Sequence, residues 1–313
     1  MKNILIITLF VAALSFGTIV IGTPQKPDLL TTNIDFANRI INDDGIVQND
    51  GTFFSIAHSH LGSFVENLRE DLNAISSIAN PSLTSVRVKP GMRKEEVASL
   101  FEKKFKWTTG EKGLFLGIHE FADIENAEGY YYPGTYVVPK KIGGNKMAQL
   151  MINRFNDEVL PRYASSTNRV ISLETALKIA SMIEREASGK NDMRLISGIV
   201  WNRIFQDMTL DIDATIQYAK GNEKDGWWPA LNADDKFIES PYNTYQNKGL
   251  TPTPISNPNL VSIQAALNPK KTDCLFYLHD SYGRIHCTET YKEHVKNIER
   301  YYNIGLSAKN KSS

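Results

Sequence analysis

The pattern of apolar and polar positions predicts an α+β chain that contains more helix than strand. Its clearest helix runs from Leu173 to Ala187, where the apolar residues fall within one arc of about 120° at about 100° per residue. Val86 and Val88 alternate as in a strand, and a Pro-Gly turn separates them from a helical face at 97–105. Further helices are predicted at 146–160, 195–205, 259–268 and 291–302.

One acid interrupts the apolar stripe of the clearest helix. Glu184 falls between Ala180 and Leu177 on the helical wheel, whereas Glu186 falls toward the polar side. Such an acid is usually a partly exposed flank or one half of a salt bridge. It can also be a catalytic acid, because an apolar surround raises the pKa of a carboxyl group.

Residues 241–258, PYNTYQNKGLTPTPISNP, form a long segment without helical periodicity. Loops of this length in a compact domain are usually functional or disordered, and the tyrosines and asparagines in this one argue against plain disorder. A hairpin follows, with its turn near residues 281–283. A tight turn there would place Leu278 rather than Cys274 opposite Cys287, so the sequence favours two free thiols over a disulfide.

Residues 4–22 form an uncharged apolar run close to the roughly 20 residues that span a bilayer. A cleaved signal peptide would have a shorter apolar region, about 7–15 residues, and a small-x-small cleavage site, which the flank TPQKPD lacks. We therefore expect an uncleaved single-pass anchor at 1–22 and a linker at 23–32. Lys2 favours a cytoplasmic N-terminus, which would leave the rest of the chain on the outer side of the cytoplasmic membrane.

Charge and ligand chemistry narrow the choice of partner. The chain has 35 Lys and Arg against 35 Asp and Glu, and we find no basic stripe, so the sequence gives no indication of a nucleic-acid partner. His58 and His60 are the only histidine cluster and have no partner at ligand spacing, so we predict no metal site and no cofactor.

Several motifs together resemble the YceG-like family of endolytic murein transglycosylases. They are, in chain order, EGYYYPGTY, IASMIEREA, ISGIVWNRI, MTLDIDATIQYA, SPYNTYQNKGLTPTPISNP and IQAALNP. The segment VRVKPGMRKEEVASLF is similar to the LysM-like module of that family. The resemblance implies a LysM-like region at 33–126, a mixed, helix-rich catalytic domain at 127–304 and a tail at 305–313.

The resemblance implies cleavage of the bond between N-acetylmuramic acid and N-acetylglucosamine within glycan strands, leaving 1,6-anhydro-muramyl ends. It identifies Glu184 as the catalytic acid. One acid suffices in this reaction, because the muramyl 6-hydroxyl attacks its own anomeric carbon, whereas a hydrolase normally needs a second carboxylate. The alternatives are a hydrolytic muramidase and a non-catalytic glycan-binding scaffold that recruits cell-wall synthases. Cell-wall synthases are also candidate partners if the protein is a transglycosylase.

Other positions match the family's motifs and are candidates for substrate binding: Tyr242, Asn243, Thr244, Tyr245, Asn202, Arg203, Asp213, Thr215 and Glu128. The four loop residues can bind sugar or can simply pin the loop, and Arg203 can be a structural clamp. Asp213 is expected to orient Glu184 or Arg203, or to cap a turn, and Glu128 to reach the cleft. The chain departs from the family pattern at Gly134, Thr251 and Thr253, and Ile285 occupies the family's histidine position unless a local shift restores His286.

Overall fold

The computed structural model describes residues 82–117, 126–165 and 171–302. The predicted anchor, linker and tail, and the first part of the predicted LysM-like region, lie outside the described residues. Within those three ranges, no helix combines the length and the apolar character needed to cross a bilayer. The described chain is a helix-rich mixture of α and β structure, as its sequence pattern predicts.

The first half pairs two strands and packs helices against them. Strand β1 (Leu83–Val88) runs antiparallel to β2 (Gly134–Pro139), with helices α1 (Lys94–Phe105) and α2 (Thr109–Leu116) between them in the chain and α3 (Gly144–Ser165) after them. The predicted strand and helical face are confirmed, because they bury their apolar side chains in one core. Its aromatic members are Phe101, Phe105, Trp107, Phe115, Tyr131 and Tyr136.

The second half is built mainly from helices around a second core. Its elements are α4 (Leu173–Glu186), α5 (Lys190–Phe205), α6 (Asp213–Lys220), a 3₁₀ helix (Ala233–Phe237) and α7 (Leu260–Leu267). Helix α4 begins where the Ser172 side chain accepts a hydrogen bond from the Thr175 N–H. The middle of its predicted apolar stripe, from Ala176 to Ile183, is fully buried, whereas Leu173 and Ala187 at its ends are partly buried. Helices α4 and α5 both pack against α7.

A hairpin and a last helix close the described chain. Strands β3 (Phe276–His279) and β4 (Ile285–Thr288) are antiparallel, with the turn where it was predicted, and α8 (Tyr291–Tyr302) follows. Leu278 lies opposite His286, so the predicted pairing of Leu278 with Cys287 is wrong by one residue.

The prediction of two free thiols is also wrong, because Cys274 and Cys287 form a disulfide with their Cα atoms 5.7 Å apart. Cys274 precedes β3, so its side chain is not constrained by the strand ladder. Asn202 on α5 donates a hydrogen bond to the Cys274 carbonyl at 3.0 Å and fixes the chain at this point. The two cysteines are therefore bonded although Tyr277, and not Cys274, lies opposite Cys287 in the ladder.

Asn257, a fully buried side chain, joins the two halves. Its Oδ1 accepts hydrogen bonds from the N–H groups of Gly129 and Tyr131 at 3.0 and 2.9 Å. Its Nδ2 donates to the Met92 carbonyl at 3.0 Å and to the Glu128 carboxylate at 3.1 Å. The β1–β2 pair likewise spans the predicted boundary between residues 126 and 127, which itself stays a prediction.

Glu128 is fully buried beside Asn257. Both of its carboxylate oxygens lie 3.1–3.2 Å from the Lys94 N–H, at the first residue of α1, and the Tyr218 hydroxyl lies 3.3 Å from Oε2. Burial, together with the charge of Glu95, raises the pKa of Glu128 to about 8, although the Lys94 N–H and the charges of Arg93 and Lys94 oppose this rise.

We predict that stability falls as pH rises between the unfolded pKa of Glu128, about 4.5, and its folded pKa of about 8. In this window the folded state holds a proton that the unfolded state has lost. Glu128→Gln removes this titration, and an amide can keep one acceptor toward Lys94 and Asn257. The melting temperature of the original protein should therefore fall relative to that of Glu128→Gln as pH rises. Calorimetry should show that the difference between the two melting temperatures changes by about 5 °C in favour of the variant from about pH 5 to pH 9.

The exposed Glu239 provides a matched control for this pH series. Glu239→Gln should stay at a constant offset from the original protein across the range. Parallel curves for Glu128→Gln and the original protein would show that Glu128 does not titrate in this window.

Candidate active site

Glu184 lies in the last turn of α4, half-buried at the end of the apolar stripe. Its Oε2 accepts hydrogen bonds from the Ser262 hydroxyl at 2.5 Å and from the Asn259 N–H at 3.0 Å. Its Oε1 accepts one longer bond, from the Asn259 side-chain amide at 3.3 Å. The sequence predicted an apolar surround, and the structure shows that polar groups contact the carboxylate itself.

The donors to Glu184 come from the start of α7. Asn259 is the N-cap of this helix, and its Oδ1 accepts hydrogen bonds from the N–H groups of Val261 and Ser262. The carboxylate therefore faces the helix N-terminus, where the partial positive charge of the helix dipole stabilises an anion.

Burial raises the pKa of Glu184, while the hydrogen bonds from Ser262 and Asn259 and the charge of Arg185 lower it. Burial is the largest of these effects, so the pKa stays above its usual range. Because Oε2 already accepts two hydrogen bonds, Oε1 is the oxygen better placed to carry a proton to a bound molecule. This combination suits a general acid.

Residues 251–259, which we call the strap, run along α4 and bring Asn259 to Glu184. The Ile255 N–H donates to the Ser181 hydroxyl oxygen at 3.0 Å, and the Ser256 hydroxyl donates to the Ser181 carbonyl at 3.1 Å. Ser181 lies three residues before Glu184 and faces the same side of the helix. These bonds fix the distance between the strap and the turn of α4 that carries Glu184.

The loop between β1 and α1 forms another side of the site. Gly91 has a φ of +76°, and a Cβ atom there would lie 3.6 Å from Cγ of Glu184 and 3.4 Å from Cδ of Arg185. The Arg185 guanidinium lies over the Trp228 ring, 3.8 Å from its centroid, and the Trp228 indole N–H donates to Glu96 on α1 at 2.7 Å. The first half of the chain therefore reaches the residues that surround Glu184.

Glu186 faces a different part of the molecule, as its place on the helical wheel predicted. It accepts a hydrogen bond from the Tyr277 hydroxyl at 2.9 Å and another from the Ala214 N–H, at the start of α6. Burial raises the pKa of Glu186, although the hydrogen bonds from Tyr277 and Ala214 oppose this rise.

Three of the four YNTY side chains make hydrogen bonds that pin the long loop. Asn243 is fully buried, and its amide donates to the carbonyls of Lys236 and Ile238. Thr244 accepts from the Ile212 N–H at 3.1 Å and its hydroxyl lies 2.9 Å from that of Thr215, which is also buried. The Tyr242 hydroxyl lies 2.9 Å from that of Thr253 in the strap.

Tyr245 and Asp213 contact each other rather than the acid. The Tyr245 hydroxyl donates to Asp213 at 2.6 Å, and burial, followed by this bond, raises the pKa of Tyr245. Asp213 was expected to orient Glu184 or Arg203, but it accepts a hydrogen bond from Tyr245, and Arg203 instead pairs with Asp211 at 2.8 Å. The sequence analysis predicted Asp213 as a possible partner of Arg203, whereas the observed partner, Asp211, lies two residues earlier in the chain.

Asn202 and Arg203 hold the chain that leads into the hairpin. Asn202 donates to the Thr272 carbonyl at 2.6 Å, and Arg203 donates to the carbonyls of Leu275, Thr209 and Leu210 at 2.7–3.1 Å. These contacts are those of a structural clamp. Glu128, expected to reach the cleft, is instead enclosed in the core at 0% exposure. Substrate binding by these three residues stays a prediction.

Sequence reasoning missed Asn259, Ser262 and Gly91. The Pro-Asn-x-x-Ser pattern at 258–262 indicates a helix start, but nothing local in it shows which carboxylate the helix start will face. Within the described ranges, no group of three or more His, Cys, Asp or Glu side chains is arranged to hold a metal ion.

Comparison with known proteins identifies relatives of this chain. The endolytic murein transglycosylase of Bacillus subtilis strain 168 is 39% identical over 184 residues, which cover 58% of this chain and 49% of that protein. The protein of the same name from Streptococcus pneumoniae strain D39 is 31% identical over 58% of this chain and 33% of its own length. The chain therefore matches half or less of the length of these curated relatives.

A solved structure and a family model extend the comparison. The crystal structure of a YceG-like protein from Listeria monocytogenes superposes with a TM-score of 0.62 at 27% identity, covering 68% of this chain and 75% of that one. The model of the YceG-like family matches residues 35–300. This chain therefore belongs to the YceG-like family.

Proposed function

We propose that this protein is an endolytic lytic transglycosylase that cuts peptidoglycan glycan strands. The observation that carries the proposal is the Glu184 carboxyl group, half-buried with a raised pKa and held by Asn259 and Ser262. The names of the relatives, and the resemblance of the motifs around Glu184, support the same activity.

In the proposed reaction, Glu184 donates its proton to the glycosidic oxygen as the bond from that oxygen to the anomeric carbon of N-acetylmuramic acid breaks. The muramyl 6-hydroxyl attacks the same carbon, and the Glu184 carboxylate then accepts the proton of that hydroxyl. The products are a 1,6-anhydro-muramyl end and a new N-acetylglucosamine end, without water. The hydrogen bonds to Oε2 keep the carboxylate oriented in both steps.

The hydrogen bonds made by the acids near Glu184 support a lyase reaction over a hydrolase reaction. Glu96 accepts hydrogen bonds from the Arg93 N–H and the Trp228 indole, and Glu186 accepts from Tyr277. Both carboxylates are held by partners other than Glu184, which favours a reaction in which Glu184 acts without a second acid.

We further propose that residues 4–22 anchor the chain in the cytoplasmic membrane and that residues 33–126 form a LysM-like module that positions glycan. The strand and helices of 83–116, packed against the catalytic half through Gly91 and Asn257, support a positioning role. The disulfide at Cys274 supports an oxidising compartment outside the cytoplasm. An anchored enzyme would also meet glycan strands beside the cell-wall synthases, which we propose as partners.

Glu184→Gln should fold normally and lose nearly all cleavage. The one oxygen of glutamine can still accept the bonds from the Ser262 hydroxyl and the Asn259 N–H, although the longer bond from the Asn259 side-chain amide is lost. Glutamine cannot protonate a leaving group, and acid–base catalysis is worth about 10²–10⁴ in rate. Because the same group acts twice, the loss should lie near the upper end. Mass spectrometry of anhydro-muramyl products from purified sacculi measures it, with thermal melts as the check on folding.

Glu186→Gln is the matched control, since it makes the same chemical change two residues away. It should lose far less activity than Glu184→Gln. Reducing ends in place of anhydro ends would identify a muramidase, and binding without cleavage by the original protein would identify a scaffold. An active Glu184→Gln beside an inactive Glu186→Gln would contradict the assignment of the acid.

Ser262→Ala should shift the pH profile rather than abolish activity. The Ser262 hydroxyl lowers the pKa of Glu184, so its removal raises that pKa further. Cleavage requires protonated Glu184, and the rate falls as pH rises through its pKa. The basic limb of the kcat/KM profile should therefore move to higher pH. Ser256→Ala, which removes a strap hydroxyl bonded to Ser181 instead, should leave the limb in place. An unmoved limb in Ser262→Ala would contradict this account of the pKa.

The anchor is tested by N-terminal sequencing of the protein recovered from the membrane fraction. We expect a sequence beginning at Met1 or Lys2, because the apolar run lacks a cleavage site. A soluble mature form that begins near Thr23 would show that the run is a signal peptide.

A further inference from the structure

A surface cavity of about 490 Å³ lies between α3, α5 and α7, and neither Asn259 nor Ser262 is among its lining residues. One side is apolar and belongs to α7, which contributes Leu260 and Val261. The other side carries three cations, Arg162 from α3 and Lys190 and Arg194 from α5. No aspartate or glutamate is among the residues that line the cavity, all of which belong to the described chain.

The three cations can still receive an anionic ligand. Lys190 is exposed at the first residue of α5, whose helix dipole adds to the positive potential. Arg162 pairs with Glu158 at 3.1 Å, and Arg194 donates from Nε to the Asn268 carbonyl at 2.8 Å. Each guanidinium has five N–H donors, so these contacts orient the two arginines and leave further donors for a ligand.

The cavity is within reach of a chain attached to a sugar at Glu184. Ser262, which contacts Glu184, and Leu260, which lines the cavity, are two residues apart and therefore about 200° apart around α7. The path around a helix of about 10–12 Å diameter is comparable to the roughly 13–18 Å that four or five extended residues cover. A short peptide could therefore pass from the cleft, around the start of α7, into the cavity.

Peptidoglycan carries such a chain, because each N-acetylmuramic acid bears a short peptide stem on its lactyl group. The N-acetylated sugars themselves are uncharged, whereas the stem has free carboxylates and apolar alanine side chains. We propose that this cavity binds the stem, with its carboxylates beside Lys190 and Arg194 and its apolar groups on Leu260 and Val261. The proposal rests on the proposed function and adds a substrate contact outside the glycan cleft.

The test compares three substrates made from the same uncrosslinked strands: stems with free carboxylates, stems with amidated carboxylates, and strands stripped of stems by an amidase. For the full-length protein, we expect KM for free stems to be about three- to tenfold lower than for amidated stems, the effect of one to three surface charge contacts. Lys190→Glu should bring this ratio close to one and leave kcat unchanged.

Two further variants distinguish stem binding in the cavity from general effects of charge and folding on KM. Lys292→Glu makes the same change on an exposed residue of α8 and should keep the original ratio. Arg194→Gln should reduce the ratio by a smaller factor than Lys190→Glu, because glutamine keeps a donor, with thermal melts as the check on folding. A ratio of one in the original protein, or an unchanged ratio in Lys190→Glu, would overturn the proposal.

Direct binding distinguishes failure of this proposal from failure of the proposed function. A synthetic stem tetrapeptide, titrated against the full-length protein, should bind the original chain and Lys292→Glu, and bind Lys190→Glu about three- to tenfold more weakly. If no strand yields anhydro products but the tetrapeptide binds in this order, the cavity is a stem site and the catalytic proposal fails. If anhydro products form and the tetrapeptide binds all variants equally, the stem site is wrong.

Discussion

A carboxyl group can be buried only where hydrogen-bond donors replace water, and this requirement connects distant parts of the chain. Three acids satisfy this requirement in the same way, because each contacts the start of a helix that is distant from the acid in sequence. Glu128 contacts the first residue of α1, Glu186 the second residue of α6, and Glu184 the N-cap of α7. Helix starts supply free N–H groups, so each acid satisfies a helix end and is itself satisfied.

The same type of contact with a helix start leaves these acids with different chemistry, because the acids differ in exposure. Glu128 is sealed in the core, where both of its oxygens meet donors. Glu184 stays half-exposed, with Oε2 doubly bonded and Oε1 held by one longer contact. In the proposed reaction, this difference lets one oxygen of Glu184 remain open to a ligand while the other fixes the geometry.

The sequence predicted features that depend on local periodicity, and it failed where distant segments meet. The buried stripe of α4 and the position of Glu184 on it follow from helical geometry alone. The Cys274–Cys287 bond depends on how the chain bends before β3, and the burial of Glu128 depends on Asn257, 129 residues away. Ser262 could be placed near a helix start, but its contact with Glu184 depends on the course of the strap.

The strap explains how this chain accommodates its departures from the family pattern. Thr251 and Thr253 replace family residues there, yet the Thr251 hydroxyl donates to the Thr253 carbonyl at 2.8 Å and the Thr253 hydroxyl to the Pro254 carbonyl at 3.0 Å. Gly129 approaches Pro254 so closely that a Cβ atom would lie 2.8 Å from the proline ring. Because prolines restrict the strap and Gly129 lets a second segment press against it, its end is held rigidly. In the proposed reaction, that rigidity keeps the Asn259 N–H within hydrogen-bond distance of Glu184 while the proton leaves and returns.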